Sequence, residues 1–200
     1  MKAIVISIKP NWVADILNGR KTIEVRKVAP KCDLPIDVYI YCTKDKDTLL
    51  TYQPQYPRFI CPNQSVYVDR KKAVANSFNG KVVAKFTLRK VEEIPSRKFS
   101  VYYFPYTETL DDYDLLTKSC LTTEEMDDYL GYDKKGYAYH IEDLVVFDKP
   151  KELSEFKHIC PNIMCDKCNY ADLSVDKCLP ICSNQLKQAP QNFCYVESEE

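Results

Sequence analysis

The sequence predicts a mainly β fold of the α+β kind: a small barrel or barrel-like core with two or three short helices, then a cysteine-rich appendage. Three observations carry this. Strand-length apolar runs bounded by turn signals recur along most of the chain, whereas stretches of helical period are few and short. Hydrophobic residues make up 45% of the 200 positions, enough to bury a core as one domain plus an appendage or as two small domains. Six of the ten cysteines crowd between Cys160 and Cys194.

Met1 to Ile8 alternates Ala3, Val5 and Ser7 with Ile4, Ile6 and Ile8, a buried first strand. Trp12, Val13, Ile16 and Leu17 follow at helical spacing, and Gly19 stops that helix. Ile23 and Val25 then alternate with Thr22, Glu24 and Arg26 as a short strand, and Ile36 to Tyr41 is another strand run. From Thr43 to Phe78 no period holds: Pro54, Pro57 and Pro62 lie among aromatic residues, so an excursion is expected at about 43–78. Asn79-Gly80 is a hairpin-type turn, and one long strand is expected from Lys81 to Val91. Ser96 to Asp114 reads mostly as loop. Thr122 and Glu125 form a capping box that opens a helix closed by Gly131. Tyr137 to Phe147 is a last long strand, ended by Lys149-Pro150, and Glu152 to Phe156 fits one helical turn.

The stretch from Gly19 to Lys27 is the most informative. Its apolar pair, Ile23 and Val25, points into a core, leaving Thr22, Glu24 and Arg26 on the opposite face. Lys21 sits in the preceding turn, from which its long stem reaches over that face. Lysine, glutamate and arginine are thereby aimed at one place.

The net charge of -1 hides an asymmetry. Residues 1–100 hold 19 Lys and Arg against 9 Asp and Glu, and residues 101–150 hold 4 against 12. A basic first half suits a polyanion, since each cation placed at a phosphate releases counterions; the alternative is that the charges mix in three dimensions. The first apolar run is too short for a signal peptide or a membrane span, so a soluble, intracellular (cytoplasmic) protein is expected.

Ile8-Lys9-Pro10, Gly19-Arg20-Lys21-Thr22-Ile23-Glu24-Val25-Arg26, Asn79-Gly80-Lys81-Val82-Val83-Ala84 and Gly136-Tyr137-Ala138-Tyr139-His140-Ile141, in this order, resemble an ASCH domain of the PUA-like superfamily. The similarity covers roughly residues 1–156 apart from the excursion. Leu121 to Glu125 and Lys149 to Leu153 resemble the ASCH proteins of Firmicutes and their phages in particular. The resemblance implies a five- or six-stranded PUA-like barrel whose cleft is lined by the Gly-x-Lys-Thr-x-Glu-x-Arg segment. It further implies RNA binding or nucleic-acid-linked regulation. Some small bacterial members are amidohydrolases acting on N4-acetylcytidine, and others are reported as ribonucleases. The amidohydrolases carry a lysine followed three residues later by a threonine, with a glutamate further on. Lys21 matches the lysine, whereas Glu24 stands at the threonine's place.

Lys21, Thr22, Glu24 and Arg26 are therefore the ligand-binding or catalytic candidates. As a grip on a base, Glu24 accepts from an amino group while Lys21 and Arg26 hold phosphate or carbonyl oxygens. As a catalyst, a Lys–Glu pair in a dry cleft does acid–base work. The bland reading is a surface salt-bridge network, worth about 0–1 kcal/mol per pair. Tyr52, Tyr56, Phe59, Tyr67, Tyr102, Tyr103 and Tyr106 are available to stack on bases, and His140 reads as a structural, hydrogen-bonded histidine. RNA is expected as partner before DNA. The rivals are an amidohydrolase on N4-acylated cytidine or a related modified nucleoside, and a protein-interaction module.

Cys165-x2-Cys168 and Cys178-x3-Cys182 are two close pairs of the sort that tetrahedral zinc takes, with Cys160 and Cys194 as alternates and His158 as a remote candidate. A cysteine-rich appendage at 157–200, with few large aliphatic residues, needs such a metal to fold. Structural zinc is expected before an iron–sulfur cluster, which uses the same thiolates. The closing run from Ala189 to Val196 also resembles the tail of the phage-type proteins.

Overall fold

The computed structural model describes residues 2–45, 50–52, 58–60, 73–74, 78–96, 112–131, 133–159 and 185–198; in the strands at 50–52, 58–60 and 73–74 only the backbone is described. The chain runs β1 (Lys2–Ile8), α1 (Pro10–Leu17), β2 (Ile23–Arg26), β3 (Ile36–Cys42), β4 (Leu50–Tyr52), β5 (Arg58–Ile60), β6 (Ala73–Val74), β7 (Lys81–Leu88), β8 (Val91–Ile94), α2 (Asp112–Ser119), α3 (Thr123–Leu130), β9 (Gly136–His140), β10 (Glu142–Glu152), a 3-10 turn at Leu153–Glu155, and β11 (Phe193–Glu197).

A five-stranded sheet has the order β10-β7-β3-β1-β11, and a three-stranded sheet the order β2-β9-β8. The two join through bent strands. The expected strand from Lys81 to Val91 breaks at Arg89-Lys90 into β7 and β8, and that from Tyr137 to Phe147 breaks at Ile141 into β9 and β10. Each half pairs antiparallel with its counterpart, β7 with β10 and β8 with β9. Asp143, in the left-handed region at φ 47°, lies just past that break. Lys149-Pro150 does not end β10, which continues to Glu152. The strand lies at the sheet edge and shifts register between Val146 and Lys151, so a missing amide costs no ladder bond.

Alternation along β1 sorts its side chains between two cores. Ile4, Ile6 and Ile8 join α1, β3 and β7 in one cluster; Ala3 and Val5 pack on the other face with Tyr39, Tyr41, Leu153, Phe156 and Leu186. Ile23 and Val25 of β2 pack with Leu115, Met126 and Leu130 under α2 and α3. The α3 capping box is present, with Thr122 as cap and Gly131 as stop at φ 93°.

Three elements depart from the expected pattern. The excursion holds a small separate sheet of order β5-β4-β6. Residues 112–119, read as loop as far as Asp114, form α2; this helix is short and depends on tertiary burial of Leu115. Phe193–Glu197, expected within the appendage, pairs antiparallel with β1 as the edge strand of the main sheet. Among the described residues no helix is long and apolar enough to cross a membrane.

Candidate functional site

Local chain geometry brings Lys21 into place. The Asp15 carbonyl, near the end of α1, accepts from the amides of Arg20 (2.9 Å) and Lys21 (3.1 Å), and Gly19 adopts φ 73° to make the turn. The Asp15 carboxylate also takes the Arg20 Nε at 2.8 Å. Lys21 then stands two residues before β2 with 2% of its surface exposed.

Its Nζ donates to the Ser119 carbonyl at 2.6 Å and stands 3.3 Å from Glu24 Oε2. Ser119 is the last residue of α2, so the ammonium satisfies an orphan carbonyl at the negative end of a helix. The same nitrogen lies 5.4 Å from the ring centroid of Trp12. Glu24 Oε1 is 3.1 Å from Arg26 Nε. Arg26 donates from one terminal nitrogen to the Ser7 carbonyl (2.7 Å) and from the other to the Asn192 carbonyl (3.4 Å). Ser7 Oγ donates to Pro190 O at 2.7 Å, fastening the segment before β11 to the end of β1.

The polar face of β2 is therefore buried. Glu24 is 8% exposed and Arg26 4%. A surface salt-bridge network is ruled out for this trio by its burial. Two cations share one carboxylate in a nearly dry setting, and main-chain carbonyls are the chief partners of the remaining positive charge among the described residues. Such an arrangement is expensive to desolvate. The ion pair between Glu24 and Arg26 Nε is not an aligned hydrogen bond: among the described residues, buried Arg26 Nε and Asn192 Oδ1 make none.

Thr22 departs from the expected grouping. It is exposed, and its backbone is what matters: its amide donates to Lys118 O at 2.8 Å and its carbonyl accepts from Ile141 N at 2.9 Å. Tyr129 of α3, 38% exposed, hydrogen-bonds Arg26; burial pushes its phenol above the ordinary tyrosine range, against the pull of Arg26. Tyr139 donates to Val28 O at 2.6 Å, and burial raises its phenol strongly. Ser7, Trp12, Ser119, Tyr129 and Asn192 belong to the site and carry no signal in the spacing that marked Lys21 to Arg26.

His140 meets Glu92 through Nε2, as a structural histidine would. Burial works to raise the Glu92 carboxyl, but hydrogen bonds from Lys90 and His140 outweigh it and leave the group below the usual range. The basic face of β7 is neutralised: Lys81 pairs with Glu152 (3.1 Å), Lys85 with Asp37 (2.8 Å), and Arg89 with Asp143 (2.5 Å) and Glu142 (3.4 Å).

This architecture has known counterparts. Over 98% of its length the chain matches the crystal structure of ASCH from Zymomonas mobilis, with a TM-score of 0.51, 16% identity and 87% of that chain covered. The fold is that of an ASCH domain. Two single-substitution variants of the same Zymomonas mobilis protein match equally, a tyrosine-to-phenylalanine form (TM-score 0.50, 16% identity, covering 98% of this chain and 91% of that one) and a serine-to-alanine form (0.51, 16%, 98% and 88%). No family model and no curated protein matches the sequence.

Within this ASCH fold the proposed zinc ligands Cys160, Cys165, Cys168, Cys178 and Cys182 lie outside the described residues, as do Tyr56, Tyr67, Tyr102, Tyr103 and Tyr106 and the side chains of Tyr52 and Phe59. Cys194 is described. It sits in β11 against the Tyr39–Phe156 cluster, where burial pushes its thiol up to about 11. Among the described residues no group of three or more His, Cys, Asp or Glu gathers.

Proposed function

We infer that this ASCH domain binds single-stranded nucleic acid, RNA before DNA, and that Lys21, Glu24 and Arg26 engage a base or modified base. The burial of this trio supports the reading: two cations on one carboxylate, fixed to main-chain carbonyls from three separate parts of the chain. A preorganised, desolvated donor set binds an electron-rich partner more strongly than solvated side chains do. Trp12 and Tyr129 flank it with aromatic surface. Its test is RNA binding by Lys21→Gln and Arg26→Gln, each first checked for a cooperative thermal melt. Loss of a buried charged contact weakens binding by about tenfold or more. Folded variants that bind as the parent does would remove this reading.

A second reading rests on the 3.3 Å separation of Lys21 Nζ and Glu24 Oε2, a pair placed to exchange a proton. It makes the protein an amidohydrolase on N4-acylated cytidine. Release of free cytidine from N4-acetylcytidine, abolished by Glu24→Gln in a folded variant, is the result that supports it.

The paired cysteines remain candidates for structural zinc, with Cys165, Cys168, Cys178 and Cys182 as ligands. Elemental analysis of the purified protein is expected to give about one zinc per chain; folded protein without zinc or iron rejects this.

A further inference from the structure

The connection from β2 to β3, residues 27–35, leaves the buried trio at Arg26 and carries Lys27 and Lys31 against one carboxylate, Asp33. Lys27 stands 5.1 Å from the ring centroid of Tyr129, the residue that bonds Arg26. At the far end, the Lys31 amide donates to the Tyr195 hydroxyl at 2.7 Å, and Lys2 Nζ lies 3.8 Å from the centroid of that ring. Phe193 packs edge-on to Tyr195 at 5.5 Å. Lys2, Lys27 and Lys31 make no ion pair with a carboxylate among the described residues. Val28, 45% exposed, Leu34 and Tyr129 are three of the large apolar side chains left exposed there. Cations left unmatched beside exposed apolar and aromatic surface mark a contact face for a polyanion that also has flat apolar parts. Asp33 on the same loop, Glu197 opposite Lys2 in register, and the carboxylates of α3 confine that face to a strip.

We propose that Lys2, Lys27 and Lys31 form a backbone track, on which the phosphates of a single-stranded RNA lie while one of its bases engages the Arg26 site. The proposal rests on the nucleic-acid reading above and adds where the rest of the strand runs. Tyr129, in contact with both Lys27 and Arg26, joins track and site and offers an exposed edge to a neighbouring base. The paired cations of β7 take no part, because each is already neutralised by its carboxylate.

The test is the salt dependence of affinity for a short single-stranded RNA of mixed sequence, measured by anisotropy. Each phosphate contact adds about 0.7 to the slope of log affinity against log salt for single strands. Exchanging Lys2, Lys27 and Lys31 together for glutamine is expected to lower that slope by about 2. The same exchange at Lys81, Lys85 and Arg89 is expected to leave it unchanged. Lys2, Lys27, Lys31 and Arg89 are exposed and Lys81 and Lys85 half-buried, so each protein is first checked for a cooperative thermal melt. Equal slopes for the track variant and the parent overturn the track, and so does an equal drop in the β7 variant. Failure of the base site looks different: Lys21→Gln and Arg26→Gln then bind as the parent does while the track variant still loses slope. Binding of the parent to vesicles rich in anionic lipid, with no binding to RNA, assigns the strip to a membrane surface and also overturns the proposal.

Discussion

Lys85 on β7 and Arg89 just past its end, and Lys21 and Arg26 around β2, are the same residue types in similar strand settings, yet their surroundings differ sharply. Half-exposed Lys85 meets Asp37, and exposed Arg89 meets both Glu142 and Asp143. At β2 two cations are buried with one carboxylate, and main-chain carbonyls supply the rest. The first arrangement is charge mixing, in which Arg89 of the basic first half meets carboxylates of the acidic stretch 101–150. The second retains positive charge in a dry setting. Charge count along a sequence thus says little about where a polyanion binds. Pairing and burial decide it.

Substituting the shared carboxylate is the severest way to break this contrast. Glu24→Gln leaves Lys21 and Arg26 buried without a counter-charge, and removing one partner of a buried pair costs about 3–5 kcal/mol. Asp37→Asn removes a partly exposed pair and is expected to cost at most about 1 kcal/mol. Urea unfolding of the two variants measures the gap, and similar losses would mean that burial is not what separates the regions.

An intermediate effect is expected at high pH. Burial keeps the Cys194 thiol neutral in the folded chain up to about 11, whereas unfolded it ionises near the ordinary thiol value of 9.0. Between those values the folded state binds more protons, so stability present below pH 9.0 is lost as pH rises towards 11. Thermal melts across that window should fall less steeply for Cys194→Ala. The acid side runs the other way: the lowered Glu92 carboxyl contributes stability above the ordinary carboxylate range that disappears as pH falls through it, and His140→Gln should shrink that acid-side loss.

A more modest effect than that of Glu24→Gln is expected at the turn that delivers Lys21. Gly19 stands at φ 73° with open space where a side chain would begin, so Gly19→Ala costs backbone strain alone, about 1–2 kcal/mol. Because that strain bears directly on the turn, it should weaken RNA binding more than its stability cost accounts for.

Much of this was legible in the sequence. The alternation of β1 and β2, the helical spacing of Trp12 to Leu17 and the capping box at Thr122 are local patterns, and the structure follows them. So is the placing of Lys21, Glu24 and Arg26 together. Their burial was not legible, because the groups that cover them are main-chain carbonyls of Ser7, Ser119 and Asn192, far away in the chain and without a residue-type signature. Thr22 shares the strand's parity but sits before β2 begins, where its side chain escapes the site. The strand Phe-Cys-Tyr-Val-Glu does alternate, yet the cysteines around it suggested a metal-bound appendage. Pro150 suggested a strand end because the edge position that tolerates it is a property of the sheet.

Trp12, the one tryptophan of the chain, lies beside Lys21 and makes the central claim directly measurable. Single-stranded RNA should be titrated into the unmodified protein while Trp12 emission and RNA anisotropy are followed together at several salt concentrations. The expected result is a saturable change in Trp12 emission that tracks the anisotropy and weakens with salt. Binding that leaves Trp12 emission untouched, or no binding at low salt, contradicts the placement of a nucleic-acid ligand at Lys21, Glu24 and Arg26.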